Sequence, residues 1–365
     1  MRIKKLRIKN LRCIEDLEFD ANRDLNLILG DNAQGKSTIL ESIFLLCTSK
    51  SFRTGHDKEL IKTDENVSLV FAEAEREKRN PVKVELALVR NAAKQLKING
   101  VRKRRIPDLF GEINCVVFSA EDTAMLRGEP KARRHYLNLD ISQLYPAYAQ
   151  LYGEYKKILA QRNTMLREIS ANPDKYPPAF LDVYDEKAAS LGAALIEKRL
   201  VYTKALFTYA EEFYRSITDS EDAEFSYVSS VKYASGEKQE IEGAMKKQLA
   251  EKRASDIIYH TTCCGPHRDD ISAVVNGMPA KTYGSAGQQR SCAMALKLAQ
   301  IYLIYDLTGD YPVVLLDDFA SELDKGRQKK ALDAAKDNCQ CFITATHTEK
   351  NVYGKIFSVK GGKLV

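Results

Sequence analysis

No stretch of the 365-residue chain approaches the roughly 18 consecutive apolar residues that a membrane-crossing helix needs, so neither a membrane span nor a membrane partner is expected. The opening MRIKKLRIKN alternates basic with apolar residues where a secretory leader would run into an apolar block, and no leader is expected. The 8 cysteines form no CxxC pair and show no Cys/His spacing of a zinc site. Cys263-Cys264 and Cys339/Cys341 therefore read as reduced thiols of a cytoplasmic protein. Internal repeats and low-complexity tracts are missing as well. What is present is an ordinary soluble composition, 44% hydrophobic and 29% charged, long enough for two or three structural units. Lys+Arg 56 against Asp+Glu 50 leaves a net charge of only +6, but the positive charge is clustered. Arg2, Lys4, Lys5, Arg7, Lys9 and Arg12 form one run, and Arg102, Lys103, Arg104 and Arg105 another. Each run has two readings, a solvated strand edge or a polyanion contact.

Apolar spacing predicts strands at Ile3 to Ile8, Ile14 to Phe19 and Leu25 to Leu29, then a helix over Ser37 to Cys47. Further strands are predicted at Val67 to Ala72, Val82 to Val89 and Val116 to Phe118. Between about 121 and 255 the period becomes helical, through Tyr148, Leu151, Tyr155 and Ile158 and then Leu181, Tyr184, Ala188, Leu191 and Leu195. This spacing suits a short antiparallel helical arm broken at its tip by Pro177-Pro178. The β pattern then resumes with Ile271 to Val275, an Asn276-Gly277 turn and a strand over Lys281 to Tyr283. A helix over Gly287 to Tyr305 and buried strands Val313 to Leu316 and Cys341 to Thr344 complete an alternation that implies a partly parallel sheet. The expected division is 1–120 plus 256–365 for an α/β unit and 121–255 for an inserted, mostly helical one.

Gly30-Asp31-Asn32-Ala33-Gln34-Gly35-Lys36-Ser37 fits GxxxxGK[ST] between a buried strand and a helix. Its backbone N–H groups, together with Thr38 behind them, can wrap phosphates, Lys36 can reach the β/γ oxygens, and the Ser37 hydroxyl can hold Mg²⁺. Val313 to Leu316 ends in two carboxylates. Asp317 is expected to serve the metal, and Asp318 to orient or deprotonate an attacking water. Ser285-Ala286-Gly287-Gln288-Gln289 opens a helix with a small hydroxyl-bearing turn, which predicts a second anion-binding helix start through Ser285, Gly287 and Gln288.

This last segment resembles the signature motif of ABC-type ATPases, and Ser321-Glu322-Leu323-Asp324 resembles their D-loop. The resemblance implies an ABC-type P-loop ATPase head of the Rad50/SMC kind, binding ATP and Mg²⁺. In such proteins the signature of one subunit closes over the γ-phosphate held by another. The stretch between Lys36 and Ser285 lacks the hundreds of heptad residues of a long-armed member, which leaves a short-armed head. Over essentially its whole length the chain is similar to the RecF family. The match is carried by Asn32 to Ser37, Ser51-Phe52-Arg53-Thr54, Val117 to Asp122, Gly128 to Arg134 and Gln161-Arg162-Asn163. Gly265-Pro266-His267-Arg268-Asp269-Asp270 and Tyr283 to Arg290 complete it, while Ala120 stands where that family usually has proline. The resemblance implies an ATP-dependent homodimer on double-stranded and gapped DNA, acting with RecR and RecO to help RecA load. His347 stands where the superfamily's switch histidine reaches the γ-phosphate; its other reading is a surface loop residue. Asp318 replaces the glutamate usual in the wider superfamily, so hydrolysis is expected to be slow. Arg133 and Arg134 meet either DNA or a helical face, and the Gly265 to Asp270 segment is either a loop held by local Arg/Asp pairs or a link from the insert to the nucleotide interface. The competing classes are an ABC-type transport ATPase subunit and another P-loop nucleotide-binding enzyme.

Overall fold

The computed structural model describes residues 1–119, 122–218, 221–318, 338–347 and 354–365. Ala120, Glu121 and the Ser321 to Asp324 segment lie outside the described residues. In chain order the first elements are β1 (Arg2–Leu11), β2 (Ile14–Asp20), β3 (Leu25–Leu29), α1 (Lys36–Thr48), β4 (Val67–Glu75), β5 (Val82–Val89), β6 (Gln95–Ile98), β7 (Val101–Lys103) and β8 (Cys115–Phe118). The middle of the chain forms α2 (Asp122–Arg127), α3 (Pro130–Leu144), α4 (Pro146–Ala171), α5 (Asp182–Thr218), β9 (Ala223–Val228), α6 (Lys238–Glu251) and α7 (Arg253–Tyr259). After these come β10 (Asp270–Val275), β11 (Met278–Pro279), α8 (Ala280–Tyr283), α9 (Ala286–Thr308), β12 (Val313–Leu316), β13 (Cys341–Ala345), β14 (Lys355–Lys360) and β15 (Lys363–Leu364).

Among the described residues these strands form an antiparallel sheet in the order β2-β1-β4-β5-β6-β7 and a second sheet in the order β15-β14-β3-β13-β12-β8. In the second sheet β14, β3, β13, β12 and β8 are parallel. Their carboxyl ends therefore share one edge, where an open α/β sheet presents its ligand site. The apolar runs of β8 and β12 follow from burial on both faces. Cys115, Val117, Val313 and Leu315 enter one core, whereas Val116, Phe118, Val314 and Leu316 enter the other, the alternation a strand imposes. The first core also holds α1 and the antiparallel sheet, and the second holds α9 and the helical insert. α1 is buried along almost its whole length and α9 from Gln289 to Ile304 apart from Arg290 and Tyr302, as expected of helices enclosed on several sides. In β1 the apolar spacing Ile3, Leu6, Ile8 departs from strict alternation, and a register shift between Ile3 and Lys5 against β4 absorbs the extra residue.

The basic run of β1 resolves as a solvated strand face. Lys5 pairs with Glu18 at 2.5 Å, Arg7 with Asp16 at 3.3 Å and Lys4 with Glu75 at 3.4 Å. In the second run Arg102, Arg104 and Arg105 are exposed on and beyond the edge strand β7.

The strand predicted at Lys281 to Tyr283 is replaced. Asn276-Gly277 does make a two-residue hairpin, both residues at positive φ, with Val275 paired to Met278. However, Pro279 lacks an N–H and ends the ladder after two residues, and the chain turns into the short helix α8. β10 pairs with β9 across the expected boundary at 256, in a small sheet of order β11-β10-β9.

α4 and α5 pack together as a helix pair in the region where the arm is expected. With 37 residues α5 spans about 55 Å, packing on α4 toward its start and on α9 toward its end. The buried arginines of this pair are anchored by carboxylates, hydroxyls and carbonyls, as burial requires. Fully buried Arg162 bonds Asp185 at 2.6 Å and Asp256 at 2.7 Å, and fully buried Arg199 bonds Tyr148, Asn138, Pro266 and Asp269. Arg133 makes a two-bond fork to Asp270 at 2.6 and 2.8 Å, and Arg134 donates to the Asp269 carbonyl. Tyr155 bonds His267 at 2.7 Å, and burial pulls His267 down to about 4, leaving a neutral ring at physiological pH. The Gly265 to Asp270 segment is thus an internal tie among α3, α4, α5 and β10, and Arg133 belongs to that tie.

Candidate nucleotide-binding site

The site begins where β3 ends. Gly30 has φ +158°, and a Cβ there would lie 2.3 Å from the Val359 carbonyl oxygen; Gly35 has φ +107° and packs against Cys13. Only glycine suits either position. The loop between them wraps the start of α1. The half-buried Ser37 hydroxyl stands at the helix mouth, where the helix N-terminus favours negative charge. Lys36 is 7% exposed, and its ammonium donates to the Gly30 and Asp31 carbonyls at 2.7 and 2.8 Å. Gln34 faces elsewhere: its side-chain oxygen accepts from the Gly361 N–H at 2.6 Å and its carbonyl from the Gly362 N–H at 3.0 Å, so the loop is moored to the β14–β15 turn.

A cavity of about 230 Å³ lies in front of this loop, lined by Asn32, Ala33, Gly35, Lys36, Ser37 and Thr38 together with Arg12, Arg53, Asp318 and Thr344. The parallel sheet brings these segments together. β12 delivers Asp317 and Asp318 beside β13, and Thr344 of β13 couples the pair. Its hydroxyl donates to Asp317 Oδ1 at 2.9 Å and accepts from the Asp318 N–H at 2.8 Å. Asp318 is held at φ +51°, a left-handed conformation uncommon outside glycine that neighbouring contacts must sustain. Two arginines complete the cationic wall. Glu41, fully buried on α1, accepts from Arg12 at 2.5 and 2.8 Å, lies 3.8 Å from Arg53, and accepts from the Ser51 hydroxyl. Arg12 falls in the first basic run and Arg53 in the Ser51 to Thr54 match, whereas Glu41 and Thr344 have no assigned role on sequence grounds. The signal for those two is chemical only, a carboxylate in a mostly apolar helix and a hydroxyl near the end of a mostly apolar strand. His347 is exposed just beyond β13, on the same sheet edge.

Ser285 sits elsewhere. It caps α9 in a reciprocal capping box, its hydroxyl accepting from the Gln288 N–H at 3.2 Å and its own N–H donating to Gln288 Oε1 at 2.9 Å. Gln288 also donates to Glu221, and Arg127 donates to Gln289. Among the described residues the phosphate-loop cavity takes no lining from 285–289.

Removing the Thr344 hydroxyl should expose its role. In Thr344→Val, ATP turnover is expected to fall about 10–100-fold with nucleotide affinity nearly unchanged, because Asp317 and Asp318 lose their orienting partner but the loop keeps its own contacts. Thr344→Ser should restore most of the rate, measured as phosphate release at saturating ATP.

A parallel sheet with a phosphate loop at one strand end, a paired carboxylate at the next but one, and a second capped helix start on the far core defines an ABC-type P-loop ATPase head. A family model described as the RecF/RecN/SMC N terminal domain matches residues 2–359. A curated DNA replication and repair protein RecF from Oceanobacillus iheyensis is 34% identical, over 96% of this chain and 94% of that protein. A solved structure of the recombination mediator protein RecF with ATP is 33% identical with a TM-score of 0.92, covering 100% of this chain and 96% of that one. The Smc head domain derived from Pyrococcus furiosus shares the fold, at 14% identity and a TM-score of 0.53 over 100% of this chain and 95% of that one. The chain belongs to the RecF/RecN/SMC family and, within it, to the RecF proteins.

Proposed function

We propose that the chain is an ATP-switched DNA-binding repair protein in which ATP joins two copies. Each triphosphate is held by Gly30 to Thr38 of one copy and by Ser285, Gly287 and Gln288 of the other. Residues 1–120 plus 256–365 form the ATPase part and 121–255 the helical insert that carries the arm. The observation that supports this most is the separation of two anion-binding helix starts within one chain, one on each core, with only the first lining the cavity. The ATP-bound relative of the same fold supports the choice of nucleotide.

Lys36, the α1 N-terminus, Arg12 and Arg53 offset the triphosphate charge. Ser37 and Asp317, a hydroxyl and a carboxylate, are the hard oxygen donors that suit Mg²⁺ and would hold it; the ion would neutralise charge on the phosphate oxygens. Asp318 positions the attacking water and accepts its proton, and His347 approaches the γ-phosphate from the end of β13. An aspartate is one methylene shorter than the glutamate of the wider superfamily, which makes turnover slow and lets hydrolysis act as a release timer. Acting in the cytoplasm at single-strand gaps in duplex DNA, with RecR and RecO, the ATP-bound dimer promotes RecA loading. The exposed arginines of the 102–105 run supply phosphate contacts.

Binding to gapped and intact duplex, with and without ATP and titrated against salt, tests this reading. ATP should tighten binding, and affinity should fall by about tenfold or more between 50 and 200 mM salt, because neutralised phosphates release counterions. Equal binding without nucleotide would overturn it.

A further inference from the structure

A second cavity, of about 430 Å³, lies between α1 and α9 and is separate from the phosphate loop. Its apolar wall includes Phe44 and Phe52, whose rings meet edge to face at 5.5 Å, and the Tyr136 ring lines it as well. Its polar lining includes Asp122, Asp140, His135, Lys297 and Gln300. Asp140 is 4% exposed and takes Gln300 Nε2 at 2.5 Å and the Tyr202 hydroxyl at 3.3 Å. Lys297, which lines the same cavity, pairs with Asp122 at 3.4 Å and lies 4.8 Å over the Tyr136 ring. Burial pushes the Asp140 carboxyl up to about 7, as expected of a buried acid without a hydrogen-bonded counter-ion. Gln300 is 3% exposed, and among the described residues its side-chain oxygen has no hydrogen-bond partner. Such a group in a native interior calls for a partner.

We propose that this cavity binds a small planar aromatic ligand carrying N–H donors on one edge, an amidine or amino-substituted ring, with the ring against Phe44, Phe52 and Tyr136 and the donors on Asp140 and Gln300. A concave, mostly apolar site with a few convergent polar groups is the usual form of a small-molecule pocket. Ammonium-like or amidinium charge suits it because Lys297 is paired with Asp122, which leaves Asp140 without a hydrogen-bonded counter-ion among the described residues. The site touches both halves of the ATP machinery. Ser51 lines this cavity and bonds Glu41, which holds Arg12 and Arg53 at the phosphate loop. Lys297 and Gln300 lie on α9, whose first turn carries Ser285.

Benzamidine is the probe, with benzoate and toluene as charge and shape controls, measured calorimetrically on the full chain without nucleotide. Saturable benzamidine binding below about 1 mM is expected, a reasonable affinity for so small a ligand. Benzoate and toluene should bind at least tenfold more weakly. Asp140→Asn should weaken benzamidine at least tenfold. Gln300→Met gives the same readout should Asp140→Asn unfold, and Ala132→Phe, on the exposed side of α3 where it lines the cavity, should block entry. Lys36→Met should leave benzamidine binding unchanged, which keeps failure of this site distinguishable from failure of the nucleotide reading. Equal binding of toluene or benzoate, no saturable binding up to about 10 mM, or retention of affinity in Asp140→Asn and Gln300→Met would each overturn the proposal.

Discussion

Lys36→Met is expected to lower ATP affinity by about 100-fold and to abolish ATP-dependent dimerisation. Charge-assisted hydrogen bonds contribute roughly 1.5–3 kcal/mol each. The buried Lys36 ammonium, held by the Gly30 and Asp31 carbonyls, lines the phosphate-loop cavity. Methionine keeps the length and apolar stem of lysine, so the helix start should survive and the loss should fall on the phosphates. The measurement is titration with a fluorescent ATP analogue, followed by size-exclusion chromatography at 1 mM ATP, about the level that saturates typical ATP sites. A variant that dimerises with ATP as well as the parent protein would remove the phosphate loop from the centre of the mechanism.

The elements that carry the chemistry were also the most legible in sequence, for a physical reason. β3, β12 and β13 are enclosed on both faces and so read as mostly apolar runs, interrupted only by Asn26 and Thr344, and each is followed at once by a distinctive segment: the loop from Gly30, Asp317-Asp318 and Thr346-His347. The helix expected over Ser37 to Cys47 matches α1 to within a residue at each end because apolar residues recur on every turn from Ile39 to Cys47. What the sequence left open depends on partners far along the chain. Arg133 looks like any surface arginine until folding brings Asp270 to it, 137 residues away. Gln34 reads as a loop residue facing phosphate, yet its side chain serves a turn at Gly361. The antiparallel hairpin of β6 and β7 carries so few apolar residues that its pattern is dominated by charge. The Asn276-Gly277 turn signal is local and holds, but Pro279 removes a ladder donor two residues on and stops the second strand there.

Ser285→Arg should separate the two grips. Losing the Ser285 cap costs about 1 kcal/mol of helix stability, because the Gln288 N–H loses its acceptor. α9 is buried from Gln289 through Ile304 apart from Arg290 and Tyr302 and should hold its place regardless. ATP affinity of the monomer should stay within about threefold of the parent value, since the phosphate-loop cavity takes no lining from 285–289 among the described residues. Dimerisation should be lost, because a long side chain now occupies the helix start that must close over the other copy's γ-phosphate. Lost cap and added bulk are told apart by Ser285→Ala, which removes the hydroxyl alone: it should weaken the dimer by roughly tenfold, the scale of one charge-assisted hydrogen bond, without abolishing it. Analytical ultracentrifugation with ATP reads all three proteins on one scale. If Ser285→Arg sediments as a dimer at the same ATP concentration as the parent, the triphosphate is not shared between copies, and the trans arrangement fails even though the phosphate loop stands.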